Sequence, residues 1–197
     1  MSIVLGLICI ASGLLSARMA YKSYALVLAV TYLFQTLAVS VVTASVFEMD
    51  FTWYHVAIPV IIAVIVWIMS KLNFLWLWGS LTLVGLILLA SIGMMADTIT
   101  DVVTVPTVLI TYAIALLTAI VLRKHGRVLT VGITSGYNVG MGLILVLMAV
   151  WSSDAYGSLF VTGALLVLAG VGAGIYYQYK VDRRLIDSVL SNSTSNA

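Results

Sequence analysis

The stretch Arg123–Trp151, RKHGRVLTVGITSGYNVGMGLILVLMAVW, decides how the rest of the chain is read. Its head is basic, with Arg123, Lys124 and Arg127 around His125, and an apolar run follows that is long enough to cross roughly 30 Å of hydrocarbon as a helix. Gly132, Gly136 and Gly140 recur every four residues and share one side of that helix, a spacing that lets two backbones approach closely. The opposite side carries Thr130, Thr134, Tyr137 and Asn138. A single crossing therefore combines a charged anchor, a close-packing face and a buried amide.

Working outward, six more runs of the same kind can be marked. With residue 123 onward counted as the sixth, the seven lie at about 2 to 19, 24 to 46, 53 to 70, 73 to 96, 102 to 122, 128 to 151 and 157 to 178. Hydrophobic residues make up 63% of the 197 and charged residues only 8%, against roughly 25% charged in soluble domains, which excludes an ordinary globular fold. The expected class is all-α, a polytopic membrane protein of seven transmembrane helices. Residues 1–179 form the membrane domain and 180–197 a short tail.

Charge position orients the bundle. The connections alternate between basic (Arg18 and Lys22; Lys71; Arg123, Lys124 and Arg127; Lys180, Arg183 and Arg184) and acidic (Glu48 and Asp50; Asp97 and Asp101; Asp154). Basic residues stay on the cytoplasmic side, so all nine fall inside only with seven spans, the N-terminus outside and the C-terminus cytoplasmic. Residues 3–17 have the apolar character of a signal peptide but no basic start, and they are read as the first span. In the tail, Val181, Leu185, Ile186, Val189 and Leu190 share a helical face opposite Arg183 and Asp187, the pattern of an amphipathic helix on the inner leaflet. The polar end beyond it, from Ser191, is expected to be flexible.

No Asp, Glu, Lys or Arg falls near the middle of any span, which argues against a proton relay, an ion pathway or a retinal Schiff base. What lies there is neutral. In the second span Tyr32, Gln35, Thr36, Ser40 and Thr43 form a stripe; in the fifth, Thr104, Thr107, Thr111 and Thr118 form another, with Tyr112 beside them. Hydroxyls can bond their own helix backbone, but Gln35 and Asn138 carry primary amides that one backbone does not satisfy. The candidate substrate-binding set is Tyr32, Gln35, Thr111, Thr134, Tyr137 and Asn138; Gly132, Gly136 and Gly140 are the packing set.

An enzyme is not expected: there is no central carboxylate pair, no His and Cys cluster, and no nucleophile with a base at its depth. The lone Cys9 forms no intrachain disulfide. No cofactor, metal or nucleic-acid partner is implied. The expected function is a small-solute transporter or channel for a neutral or weakly polar substrate. Charge intervals in spans one to three repeat in spans five to seven, the pattern of a three-plus-one-plus-three parallel repeat with a site between the halves.

That layout is similar in topology to the SWEET sugar transporters and to the bacterial nicotinamide riboside transporters. The proline–glutamine pair of the first and the tryptophan and asparagine pattern of the second do not occur in the matching helices, so no residue role is carried over. The alternative is a non-catalytic structural, anchoring or assembly subunit of a larger membrane complex. Its partners, or a second copy, would meet the Gly132/Gly136/Gly140 face or the tail. Short loops and no organelle signal place the chain in the plasma (inner) membrane.

Overall fold

The structure, a computed structural model, describes residues 2–20, 22–46, 49–96, 98–150 and 156–194, with the backbone alone at 2, 42, 45, 46, 156–160 and 182–194. Its helices are α1 (Ser2–Met19), α2 (Tyr24–Val46), α3 (Tyr54–Ile68), α4 (Asn73–Met95), the short α5 (Ile99–Val102), α6 (Val105–Val121), α7 (Gly126–Val150) and α8 (Tyr156–Thr194). A 3₁₀ turn, Arg123–His125, leads into α7, and no strand occurs among the described residues. Four segments are long and apolar enough to cross a bilayer: Tyr24–Val41, Asn73–Met95, Arg123–Val150 and Val161–Val181. Ile3–Met19, Tyr54–Ile68 and Val105–Val121 are apolar but shorter. The chain is an all-helical membrane protein.

Helices follow from the solvent. Hydrocarbon offers no hydrogen bonds, so each spanning segment must satisfy its backbone internally. Apolar burial then contributes little between helices, because lipid tails are as apolar as leucine, and close packing and interhelical hydrogen bonds decide the arrangement. Helix α7 is where both are concentrated. It packs most extensively on α8 and α1, and also on α2 and α4; α3 leans on α2, and α6 on α4.

The glycines set these distances. A Cβ added at Gly136 would run into the backbone of Gly170 and Val171, one at Gly140 would come 2.6 Å from the Val167 Cα, and one at Gly132 2.7 Å from the Ile175 Cα. Gly174 answers from α8, against the backbone of Gly132, whereas Gly172 faces open space. The adjacent face of α7 makes an equally close approach to α1: Cβ atoms at Gly6 and Gly13 would lie 2.7 and 2.6 Å from the carbonyl oxygens of Gly142 and Ser135. Both neighbours run antiparallel to α7.

Around these three helices, Leu5 and Cys9 of α1, Ala38 and Val41 of α2, Tyr137, Met141 and Leu145 of α7 and Val167 of α8 form the main core. A second cluster joins Leu77, Ala119, Leu129 and Ile133, and a third joins Leu28, Tyr32 and Val66. The two triplets read from the charge intervals are packed differently: α2 sits between α1 and α3, while α7 is engaged chiefly with α8 and α1.

Two local features refine the sequence reading. The run from 102 to 122 is divided at Thr104, which caps α6 reciprocally with Thr107, and Pro106 follows in the first turn, where its missing N–H is harmless. Helix α8 continues without a break through the expected tail to Thr194. At 39 residues it is about 58 Å long, nearly twice the hydrocarbon thickness. The tail side chains from 182 onward, residues 195–197, and Glu48, Asp97, Trp151 and Asp154 lie outside the described residues.

Gly136→Ala should lower stability by about 1 to 3 kcal/mol, since the α8 backbone must move. Gly172→Ala should be neutral or slightly stabilising. Thermal unfolding of both variants in detergent checks the contrast, and equal effects would overturn the packing assignment.

Candidate functional site

The polar centre of the bundle is Asn138. It is fully buried, and its Nδ2 donates to Ser12 Oγ of α1 at 3.0 Å and to the Thr31 carbonyl of α2 at 3.1 Å. The orientation of the amide is fixed by its neighbours. Ser12 directs its own hydroxyl hydrogen to the Cys9 carbonyl at 3.0 Å, so it can only accept from Asn138, and the Thr31 carbonyl is an acceptor by nature. Thr31 Oγ1 adds a contact of 2.7 Å to Ser16 Oγ. One amide therefore ties three helices together, with its carbonyl oxygen pointing elsewhere.

That oxygen, Asn138 Oδ1, is buried and has no hydrogen-bond partner within the protein; neither have Gln35 Oε1 and Tyr137 Oη. Gln35 and Tyr137 are themselves 1% and 0% exposed, so neither side chain reaches solvent. Gln35 lies one turn beyond Thr31 on the same face of α2, and Tyr137 precedes Asn138 on α7 and belongs to the main core beside Cys9. Thr134 is occupied differently, donating at 2.7 Å to the Thr130 carbonyl of its own helix. Helices α2 and α7, which pack on each other, thus carry two buried amide oxygens and a phenol without partners.

Two of the residues expected with them are elsewhere. Tyr32 turns to α4, where its hydroxyl lies 2.9 Å from Ser80 Oγ and 3.3 Å from the Trp76 carbonyl, and its ring meets Trp76 edge to face at 5.6 Å. Thr111 donates to the Thr107 carbonyl at 2.9 Å and lines a groove of about 310 Å³ between α4 and α6, with Leu81, Gly85 and Thr118. Adjacent residues of α2 therefore serve different interfaces: Thr31 meets Ser16 of α1 and Asn138 of α7, and Tyr32 meets α4. Thr36 donates to the Tyr32 carbonyl at 2.7 Å and serves its own helix.

Ser12, Ser16 and Thr31 were not among the residues expected at a site. The available signal was the spacing of Ser12 and Ser16 four apart on the small-residue side of α1, beside Cys9 and Gly13. His55 closes a local turn, its Nδ1 accepting from the Thr52 N–H at 3.1 Å while its ring stacks on Phe51 at 5.0 Å. Among the described residues no three or more His, Cys, Asp or Glu are grouped to hold a metal ion. Two further grooves, one between α1 and α8 and one beside Trp78 and Tyr112, are lined by none of Gln35, Tyr137 and Asn138.

Comparison with known proteins finds no matching family model, no similar curated protein and no similar solved structure.

A double-mutant cycle isolates the central contact. Asn138→Leu should lower stability by more than Ser12→Ala, because it removes two donated bonds, each worth about 0.6 to 2 kcal/mol in a membrane. The Ser12→Ala/Asn138→Ala pair should show a coupling of about 0.5 kcal/mol or more, measured by reversible unfolding in bicelles. Additive losses would remove the bond.

Proposed function

We propose that all seven apolar helices cross the plasma (inner) membrane, with the N-terminus outside and the C-terminus cytoplasmic, and that the bundle is a transporter or channel for a small neutral or weakly polar solute. Seven crossings are supported by the faces that the shorter helices leave open. Helix α3 exposes Val56, Val60, Ile61, Val64 and Ile68, and α6 exposes Leu109, Ile110, Leu117 and Val121, which belong in lipid. The orientation rests on the alternation of basic and acidic connections. On a Cys9→Ala background, Asp50→Cys should react with an impermeant maleimide on intact cells and Lys124→Cys only after permeabilisation. The reverse pattern would overturn the orientation.

The observation that carries the transport reading is that three buried polar atoms on two packed helices have no partner: Gln35 Oε1 on α2, and Tyr137 Oη and Asn138 Oδ1 on α7. A polar atom left unpaired in hydrocarbon costs a few kcal/mol, and packing alone gives no reason to leave these three so. A solute bearing hydroxyl or N–H groups would satisfy both amide oxygens, and the phenol can donate or accept. With no ionised side chain beside them, the preferred solute is uncharged.

Cys9 supplies a test that needs no knowledge of the substrate. It is fully buried, packs in the same core as Tyr137, and is the single cysteine. In a transporter that opens this centre to water, Cys9 reacts with a small impermeant thiosulfonate in right-side-out or inverted vesicles. Complete protection in both, with full labelling after denaturation, would reject the reading.

Protection would favour the second reading, a non-catalytic structural or anchoring subunit. Its specific support is that both N–H groups of Asn138 are given to α1 and α2 across helix contacts, the behaviour of a packing residue.

A further inference from the structure

Between α1 and α8, floored by α7, runs an apolar groove of about 370 Å³. Gly13 and Leu14 line it from α1, Gly136 and Val139 from α7, and Ala173 and Gly174 from α8. Its polar wall is at one end: Arg18 is its last lining residue on α1 and Tyr177 its last on α8, and because these two helices run in the same direction the pair share a level. Just beyond, Gln178 Nε2 donates to the Ala17 carbonyl at 2.6 Å and ties α1 to α8. This is also the end at which Arg123, Lys124, Arg127 and Lys180 emerge, all of them exposed.

We propose that the groove holds one acyl chain of an anionic phospholipid, with the phosphate at Arg18. A groove on a lipid-facing surface is filled either by a chain or by another helix, and two features decide between them. A spanning helix, about 10 to 12 Å across with its side chains, would have to pass the level at which Gln178 ties α1 to α8. It would also cover the Arg18 guanidinium with apolar surface, which is costly without a counter-charge. A phospholipid needs only the part of the groove above the tie, and its phosphate accepts from the guanidinium at headgroup depth. Tyr177 adds a ring and a hydroxyl at that same depth, the usual place for tyrosine in membrane proteins. The basic residues around this end favour anionic over zwitterionic lipid. The proposal holds whether or not the bundle transports a solute.

The test uses the full chain, delipidated in dodecyl maltoside and titrated with dioleoyl phosphatidylglycerol or dioleoyl phosphatidylcholine, which share tails and differ in headgroup charge. Native mass spectrometry should report one tight adduct, with the phosphatidylglycerol form about fivefold tighter. Arg18→Gln should bring phosphatidylglycerol down to the phosphatidylcholine level, and Arg18→Lys should keep most of the preference. Ala173→Leu, at an exposed position that fills the groove, should weaken both lipids while leaving the elution profile in detergent unchanged. Equal affinities in the unsubstituted protein, a preference that survives Arg18→Gln, or unchanged binding by Ala173→Leu would overturn the assignment. So would efficient crosslinking of two copies through Ala173→Cys in native membranes, which would make a second copy the occupant.

Discussion

The bundle depends on the distance between backbones along α7. In water a hydrophobic core can be assembled from large side chains; in lipid that driving force is nearly absent, and what holds helices together is the number of atoms in contact and the few hydrogen bonds between them. Helix α7 meets this constraint twice. Gly132, Gly136 and Gly140 admit α8 on one face, and Ser135 and Gly142 admit α1 on the face beside it, with Gly6 and Gly13 answering from α1. Asn138 becomes possible only because of that closeness: its amide reaches both Ser12 and the Thr31 carbonyl because three helices converge at its level.

A difference between two parts of the molecule follows. Helices α1, α2, α7 and α8 share the main core and carry its buried polar groups, whereas α3 and α6 each rest mainly on one neighbour and present long apolar faces outward. Among the described residues, interhelical hydrogen bonds in the second region are sparse and peripheral, such as Trp78 Nε1 to the Tyr112 carbonyl at 3.2 Å. Motion within the bundle therefore meets less resistance at α3 and α6 than at α7.

Much of the fold was legible in the sequence because bilayer thickness fixes helix length and composition fixes helix position. The seven apolar runs correspond to α1–α4 and α6–α8 within a few residues, except that α8 runs on well past the end of the seventh. The division of residues 102–122 at Thr104, and the unbroken run of α8 beyond Tyr179, were not read, since a capping box and a continuous helix leave the hydropathy pattern almost unchanged. At the candidate site the sequence singled out Gln35, Tyr137 and Asn138 but grouped Tyr32 and Thr111 with them. Helical spacing tells which residues share a face, not which neighbour that face meets; on α2 the adjacent Thr31 and Tyr32 serve two interfaces. The partners Ser12 and Thr31 were hidden for a related reason, as a hydroxyl that can bond its own backbone carries no mark of a longer-range contact.

The length of α8 has a mechanical meaning. The backbone from Tyr156 to Thr194 is a single helix with neither proline nor break, so it has no hinge at which the part beyond Tyr179 could swing independently. About 22 Å of that rod lies past Tyr179. A tilt of α8 against its glycine bearing on α7, too small to open the packed seam, would sweep the far end sideways by several ångströms, making the helix a stiff lever that converts a slight rearrangement inside the bilayer into a displacement outside it.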